Sequence, residues 1–293
     1  MKLHPGKRLH VEAALPSDSN LLPDPPLPPD SNFPLIIAHR GASAVAPENT
    51  LAAFERALLD GADGIEFDVR LTRDRLPVVI HDPTLKRTAG FDASIAALSS
   101  AELATFDVGS WFNRRFPARA RAEYSGETIP TLSRVFELVA PRCRPLYVEL
   151  KCEAAETNAL VEKVVAEVRA HELEGRVVIE SFSLTAIAEV KRIAPELRTA
   201  AAFERRPGRP LLTSRTLLRH ARACRADELA LARSLVSRRT VEAARACGLQ
   251  TVVWTVDHPS WIKRAISSGL HAVITNDPAS MRAALDDIRH RKQ

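Results

Sequence analysis

The sequence predicts an α/β protein, a (β/α)8 barrel of the TIM type with a small insertion after the second strand region. Its 293 residues, 45% of them hydrophobic, allow one large core and require no second domain. Strand-like apolar runs alternate with helix-like runs, and eight strands can be counted. Titratable residues follow several of these strands, and TIM barrels carry their catalytic groups at the carboxyl ends of the strands.

Residues 1–34 hold eight of the 20 prolines, so neither a helix nor a central strand can persist there. We therefore predict a disordered arm over 1–34 and a catalytic barrel domain over 35–293. We interpret the arm as an unstructured leader, with a polyproline segment that a partner recognises as the alternative.

The barrel is expected to begin with a strand at residues 35–38, followed by a helix that Asn49 caps and Gly61 ends. A second strand starts at Gly64, and the segment 83–128 then interrupts the alternation as an insertion. The remaining strands are expected at 146–150, 177–181, 198–203, 228–232, 250–256 and 272–275. The helices that follow them are expected at 156–171, 184–193, 212–223, 237–247, 259–268 and 278–289.

Five titratable or charged residues stand where apolar strand-like runs give way to polar turns: His39, Arg40, Glu66, Asp68 and His81. Glu66 and Asp68 are two residues apart and so point to the same face of a strand. Two crowded carboxylates repel each other and favour a cation, and oxygen ligands suit Mg²⁺ or Ca²⁺ better than Zn²⁺. The sequence therefore predicts a divalent metal site at this strand end.

A third acid lies in the same setting, because an apolar run leads into Glu149 and Lys151, which share a face. His39 and His81 can serve as general acid and base near neutral pH. Arg40 offers a fork of donors to a phosphate or a carboxylate.

Each residue alone also has a structural explanation. A single histidine at a strand end is usually a hydrogen-bonding residue, and Glu66 or Asp68 could cap the following turn. Five such groups at three successive strand ends are hard to explain by capping, so we interpret them as one functional site.

Short motifs follow one another along residues 35–288. They are His39-Arg40-Gly41, Pro47-Glu48-Asn49-Thr50, Gly61-Ala62-Asp63, Glu66-Phe67-Asp68-Val69, His81-Asp82, Ile129-Pro130-Thr131-Leu132, Glu149-Leu150-Lys151, Ser181-Phe182, Trp254-Thr255-Val256 and Thr275-Asn276-Asp277-Pro278. In this order and spacing they resemble the glycerophosphodiester phosphodiesterase family.

The resemblance implies metal-dependent hydrolysis of glycerophosphodiesters, such as glycerophosphocholine or glycerophosphoethanolamine, to sn-glycerol 3-phosphate and an alcohol. It implies that Mg²⁺ or Ca²⁺ binds to Glu66, Asp68 and Glu149. It also implies that the neighbouring glycerol hydroxyl attacks first, giving a cyclic phosphate that water then opens. The family's insertion helps to cover the mouth of the site, and we expect the same of 83–128.

The same resemblance assigns the acid and base roles to His39 and His81, without fixing which residue has which role. Arg40 and Lys151 would add fixed positive charge around the phosphate. Phe182 and Trp254 are expected to line the pocket, and Trp254 would offer a ring face to a choline head group. Simple packing at the barrel rim is the alternative for these two aromatic residues.

The chain departs from the family pattern at two positions. Asp257 stands where asparagine is common after Trp-Thr-Val, and Arg75 replaces a turn glycine. Both positions are expected to be peripheral, because neither removes a proposed metal ligand or acid-base group.

The expected partner is a small-molecule phosphodiester. The net charge of +5 is dispersed along the chain, which indicates compositional bias rather than a nucleic-acid surface. No apolar run approaches a membrane span, and the four scattered cysteines fit a reducing compartment, so we predict a cytoplasmic protein. The oligomeric state is left open.

Two other functions are considered. A lysophospholipase D would act on the same head groups with an acyl chain attached, and it would need an apolar groove that the aromatic residues of 83–128 could form. A catalytically silent binding barrel is the third possibility. The presence of both histidines together with three acids counts against it.

Overall fold

The computed structural model describes residues 33–205, 208 and 212–291. Nearly all of the arm predicted over 1–34 lies outside these described residues, so the arm stays a prediction. Within the described part, eight parallel strands close into a barrel with helices between them, which confirms the predicted fold class. Across the same ranges no helix combines the length and the apolar character that crossing a membrane requires.

The strands are β1 (Leu35–His39), β2 (Gly64–Leu71), β3 (Pro77–Val79), β4 (Leu146–Leu150), β5 (Val177–Ser181), β6 (Arg198–Phe203), β7 (Glu228–Ala232), β8 (Gln250–Trp254) and β9 (Ala272–Thr275). The helices are α1 (Leu51–Leu59), α2 (Lys86–Ala89), α3 (Ser100–Leu103), α4 (Ser110–Arg115), α5 (Leu132–Val139), α6 (Thr157–Ala170), α7 (Leu184–Ile193), α8 (Ser214–Ala223), α9 (Arg238–Ala246), α10 (Ser260–Ser268) and α11 (Pro278–His290).

The barrel closes because β1 pairs with β9 on one side and with β2 on the other. In this register Ile37 lies opposite both Gly64 and Ile274. Gly64 is required at the start of β2, since a Cβ there would lie 2.2 Å from the carbonyl oxygen of Pro145. The carboxyl ends of the eight parallel strands therefore meet at one face of the barrel.

Two layers of apolar side chains hold this arrangement together. Inside the barrel lie Ile37, Tyr147, Val178, Ala200, Ala202, Ala230, Val252, Ala272 and Ile274. Outside it, helices bury one stripe, and α6 contributes Leu160, Val161, Val164, Val165 and Val168 at helical spacing. Complete burial of one such side chain stabilises the fold by roughly 1.5–3 kcal/mol.

The start of α1 differs from the prediction. The N-cap is Thr50, whose Oγ1 accepts a hydrogen bond from the Ala53 N–H at 3.2 Å. The prediction of Asn49 was wrong because its side chain is used elsewhere, donating from Nδ2 to Asp68 Oδ2 at 2.8 Å. Gly61 does follow the helix end, with a φ of +76° that favours glycine.

The run at 77–80, which is not one of the eight predicted barrel strands, forms a hairpin with β2. β3 pairs antiparallel with the end of β2, with Val79 opposite Val69. The chain therefore turns back towards the barrel, and the Ile80 N–H donates to the Asp68 carbonyl oxygen at 2.9 Å. This reversal brings His81 to the barrel mouth.

The insertion at 83–128 contains α2 to α4 and three short 3₁₀ turns. Phe112 and Tyr124 are buried against Ala46 and Ala53, and the Tyr124 hydroxyl donates to the Val45 carbonyl oxygen at 3.0 Å. The insertion is thus packed against the loop between β1 and α1.

Candidate active site

Eight of the nine predicted site residues line one cavity of about 360 Å³ at the carboxyl-end face. They are His39, Arg40, Glu66, His81, Glu149, Lys151, Phe182 and Trp254. The ninth, Asp68, is completely buried beside them.

A tight turn after β1 positions the first histidine and arginine. Arg40 and Gly41 have φ angles of +57° and +82°, a conformation that glycine adopts without a Cβ clash. A Cβ on Gly41 would lie 2.6 Å from the backbone of Ala53, so α1 packs directly on the turn. The Arg40 N–H donates to the Glu66 carbonyl oxygen at 2.7 Å, which ties the turn to β2.

Three carboxyl groups converge at the centre of the cavity. Glu66 and Asp68 are two residues apart on β2, so their side chains point to the same face of the strand. Asp68 lies opposite Glu149 on β4. One oxygen from each of the three lies within 4.8 Å of the others, and all three side chains are buried.

Their charges are strongly perturbed by this crowding. Burial and the neighbouring Asp68 raise the pKa of Glu66 well above its usual range and that of Glu149 to about 7. Burial alone would raise the pKa of Asp68 as well, but the guanidinium of Arg40 and the ammonium of Lys151 hold it below its usual value. Arg40 and Lys151 therefore do not supply enough positive charge to keep all three carboxyl groups ionised at neutral pH.

These residues fit a hard divalent cation. The donor set consists of carboxylate oxygens, which suits Mg²⁺ or Ca²⁺. Glu66 Oε1 is buried and has no hydrogen-bond partner within the described ranges, as expected for an oxygen left to a metal. Lys151 Nζ lies 3.1 Å from Asp68 Oδ1 and 2.7 Å from Glu149 Oε1, so an ammonium group partly fills the place of such a cation.

Arg40 is held by acids on two sides. Its Nε lies 3.0 Å from Asp68 Oδ2, and its Nη1 lies 2.9 Å from Glu48 Oε1. Glu48 also accepts from the Arg87 guanidinium at 2.7 Å and 3.0 Å. The Arg40 side chain is therefore fixed at the edge of the cavity before any substrate arrives.

His39 lies at the end of β1 with its two ring nitrogens in different surroundings. Nδ1 lies 2.6 Å from Asn276 Oδ1, and Nε2 lies 3.8 Å from Glu66 Oε2. Burial, reinforced by the charge of Arg40, lowers the pKa of His39 to about 4. The imidazole is therefore neutral at pH 7 and able to accept a proton.

His81 has a carboxylate behind its ring. Nδ1 lies 2.7 Å from Asp82 Oδ1, and Asp82 Oδ2 accepts from Arg87 Nε at 2.6 Å. Because a carboxylate only accepts, Nδ1 carries the hydrogen and Nε2 is the nitrogen left for the cavity. Burial lowers the pKa of His81.

Residues 39–280 match the model of the glycerophosphoryl diester phosphodiesterase family. The chain belongs to this family. A glycerophosphodiester phosphodiesterase of Caldanaerobacter subterraneus subsp. tengcongensis is 34% identical over 84% of this chain and 96% of the relative. The expectation of an enzyme of this class is thereby confirmed.

Solved structures of other phosphodiesterases share the fold. One is an Oleispira antarctica phosphodiesterase in complex with the product sn-glycerol-3-phosphate, with a TM-score of 0.76 and 29% identity over 87% of this chain and 97% of that one. Another is a glycerophosphodiester phosphodiesterase from Agrobacterium tumefaciens, with a TM-score of 0.71 and 29% identity over 86% and 100% of the two chains.

The insertion of this phosphodiesterase contacts the rim of the site through Arg87, which donates to Asp82 and Glu48. Among the described residues that line the cavity, none comes from 83–128. Its aromatic side chains pack on one another and on the β1–α1 loop instead, as in the edge-to-face pair of Phe112 and Tyr124 with centroids 5.8 Å apart. The aromatic residues of the insertion therefore do not line this cavity.

Glu180 is a cavity residue of this phosphodiesterase that the sequence reasoning missed. It lies on β5 opposite Glu149, is almost completely buried, and its Oε2 has no hydrogen-bond partner among the described residues. Burial and the charge of Glu149 raise its pKa well above the usual range. A charged residue at an inward position of an otherwise apolar strand was the signal.

Asp257 is exposed and is not among the residues that line the cavity, but it has a contact that the sequence did not indicate. Its Oδ2 lies 2.9 Å from Asn276 Nδ2, and the Oδ1 of Asn276 in turn contacts the His39 ring. Sequence distance hid this contact, because the loops after β8 and β9 meet only once the barrel has closed. Asp82 and Glu48 were seen within motifs but were given no role.

Proposed function

We propose that this chain hydrolyses glycerophosphodiesters of small alcohols, such as glycerophosphocholine or glycerophosphoethanolamine, to sn-glycerol 3-phosphate and the alcohol. The reaction would depend on Mg²⁺ or Ca²⁺ and on acid-base catalysis by His39 and His81. One observation carries the proposal: both imidazoles line the same cavity as the three-carboxylate cluster, each with Nδ1 occupied by an acceptor.

The cation would be held by Glu66, Asp68 and Glu149. When bound, it supplies positive charge that neutralises a phosphate oxygen and lowers the pKa of a coordinated hydroxyl. Arg40 and Lys151 bring further positive charge to the same cavity, which reduces the repulsion between a diester anion and its nucleophile.

The two histidines would move the protons. One imidazole removes the proton of the neighbouring glycerol hydroxyl, whose oxygen attacks phosphorus and displaces the alcohol. The other histidine begins the cycle as the imidazolium and protonates the departing alkoxide. In the second half, the roles reverse while water opens the cyclic phosphate to sn-glycerol 3-phosphate, so each histidine ends in its starting protonation state.

The alcohol group is proposed to lie against Phe182 and Trp254. Their rings meet edge to face with centroids 5.4 Å apart, forming an apolar wall of the cavity. Glu204, the residue directly after β6, lines the same cavity and brings a carboxylate to this region. Aromatic faces with a nearby carboxylate favour a cationic alcohol such as choline or ethanolamine.

We also propose that the reaction takes place in the cytoplasm within the barrel domain of residues 35–293. Among the described residues all four cysteines, Cys143, Cys152, Cys224 and Cys247, have free thiols, as a reducing compartment would keep them.

Phosphorus NMR tests the function directly. The purified full-length protein is incubated with glycerophosphocholine or with lysophosphatidylcholine, each with Mg²⁺, Ca²⁺ or a chelator. We expect sn-glycerol 3-phosphate from the first substrate with a cation and none with the chelator. Turnover of the lysolipid alone would identify a lysophospholipase D. Silence of a folded sample with several head groups would point to a binding barrel.

A further inference from the structure

Asn276 stands between His39 and Asp257 at the mouth of the barrel. Its Oδ1 lies 2.6 Å from His39 Nδ1, and its Nδ2 lies 2.9 Å from Asp257 Oδ2. Three side chains from the ends of β1, β8 and β9 are therefore joined in one line.

The orientation of the Asn276 amide depends on Asp257. A carboxylate only accepts hydrogen bonds, so it requires the NH₂ group on its side and turns the amide oxygen towards His39. The other neighbour, Ser43, has its Oγ 2.8 Å from Asn276 Oδ1. It does not select an orientation, because a hydroxyl can donate or accept.

Asp257 is itself fixed by two donors. Its Oδ1 accepts from the Asn276 backbone N–H at 2.7 Å and from Thr275 Oγ1 at 3.1 Å. These bonds leave Oδ2 for the Asn276 side chain and hold the carboxylate at one angle.

We propose that Asp257 is a positioning residue that sets, through Asn276, which ring nitrogen of His39 carries the hydrogen. With the amide oxygen facing the ring, Nδ1 carries it, and Nε2 keeps its lone pair on the side of Glu66, 3.8 Å away. This inference rests on the proposed function in one respect, since the tautomer matters for turnover only if His39 transfers a proton.

Two variants distinguish the roles of the two side chains: Asp257→Asn, which removes the carboxylate, and a double variant that exchanges the two side chains and keeps the net charge. In Asp257→Asn, Oδ1 keeps its two donors and an NH₂ group replaces Oδ2. Two NH₂ groups would then face each other, so Asn276 turns its amide over and presents NH₂ to His39. In the double variant Asp257→Asn/Asn276→Asp, the carboxylate at 276 accepts from both sides and restores the hydrogen on Nδ1.

Nitrogen-15 NMR of the full-length protein with labelled histidine reads the tautomer above neutral pH, with the His39 signals assigned by their loss in His39→Gln. We expect Nδ1–H in the unmodified protein, Nε2–H in Asp257→Asn and Nδ1–H in the double variant. With glycerophosphocholine, kcat should fall about 100-fold in the single variant and return to within about threefold in the double, with KM little changed. Asp92→Asn, at an exposed position in the insertion, is the matched control and should change neither the His39 tautomer nor kcat.

An Asp257→Asn protein that keeps the Nδ1–H tautomer overturns the proposal. A reversed tautomer with full activity, or a double variant that does not restore Nδ1–H, also overturns it. Inactivity of the unmodified protein together with the expected tautomers would support the role of Asp257 and count against the proposed function instead.

Discussion

Lys151 Nζ lies 2.7 Å from Glu149 Oε1, so an ammonium group already stands among the carboxylates proposed to hold a metal. Asp68, with its Oδ1 3.1 Å away, is the second acid that it contacts. These two carboxylates raise the pKa of Lys151 against the opposing effect of its burial. A divalent cation at the proposed site would therefore compete with this ammonium group for the same oxygens.

Replacing Lys151 by glutamine should strengthen metal binding and weaken catalysis. Loss of a positive charge close to the ligands should raise the affinity for Mg²⁺ about 10-fold or more, while kcat falls about 10- to 100-fold because the phosphate loses a cation. Isothermal titration calorimetry and steady-state kinetics measure the two effects. Lys163→Gln, on the exposed face of α6, is the matched control. Unchanged metal affinity in Lys151→Gln would show that the ammonium does not compete.

Metal affinity should increase with pH. The pKa of Glu149 is raised to about 7 and that of Glu66 well above its usual range, so the metal-free cluster holds protons at neutral pH. Metal must displace these protons, and binding therefore weakens as the pH falls below 7. Calorimetry in two buffers of different ionisation enthalpy counts the protons released when the metal binds. Metal binding to the Glu149→Gln variant should release fewer protons. Equal affinity on both sides of neutral pH would contradict the prediction.

His39→Ala and His81→Ala should each abolish turnover and leave the fold intact. Loss of a general acid or base costs about 10²- to 10⁴-fold in kcat. The measurements are kcat with glycerophosphocholine and the circular dichroism spectrum. His290→Ala, at an exposed position near the end of α11, should behave like the unmodified protein. Normal activity in either site variant would remove that histidine from the acid-base pair.

The barrel could be predicted from the sequence because each of its strands is a short apolar run with its own boundaries. Arg198–Phe203 and Ala272–Thr275 lie at the predicted positions. His81 was expected at the end of an apolar run, and it does follow a strand, β3, but this strand is antiparallel to β2 and lies outside the barrel. Periodicity identifies a strand, whereas its direction depends on pairing that the local pattern does not encode.

Site residues could be predicted where a sequence motif itself brings charged side chains together. They could not be predicted where residues distant in sequence meet only in the folded chain. Glu66 and Asp68 share a face by their spacing alone. Asn276 meets His39 across 237 positions of sequence, and Asp257 reaches that ring only through Asn276. The error at Asn49 has the same origin, because its contact with Asp68 took priority over capping α1.

Acid should destabilise the fold through His271. Burial, with a contribution from Arg198, lowers its pKa from 6.5 to about 4, and its buried Nε2 has no hydrogen-bond partner within the described part of the chain. As the pH falls, the unfolded chain binds a proton at His271 that the folded chain does not bind. The contribution of neutral His271 to the free energy of unfolding is therefore fully present above pH 6.5 and is lost as the pH falls towards 4.

Between neutral pH and about pH 5, the metal-free protein should lose roughly 2 kcal/mol more free energy of unfolding than His271→Gln. Urea unfolding at the two pH values, with chelator present, measures the difference. His290→Gln is the control and should lose as much as the unmodified protein. An equal loss in His271→Gln and the unmodified protein would exclude His271 as the cause.

Arg75→Gly should stabilise the protein and leave catalysis unchanged. Arg75 is exposed in the turn between β2 and β3 and has a φ of +62°, a left-handed conformation that costs a residue with a Cβ about 1–2 kcal/mol. The greater freedom of glycine in the unfolded chain offsets part of this gain, so the free energy of unfolding should rise by about 0.5–1 kcal/mol. The Thr72–Leu76 hydrogen bonds of the turn use backbone groups and the Thr72 hydroxyl, so they remain in the variant.

Chemical denaturation measures the gain in the free energy of unfolding, and Arg75→Ala is the control because it removes the same charge while keeping a Cβ. A gain in Arg75→Ala as large as in Arg75→Gly would show that charge, and not backbone conformation, is responsible.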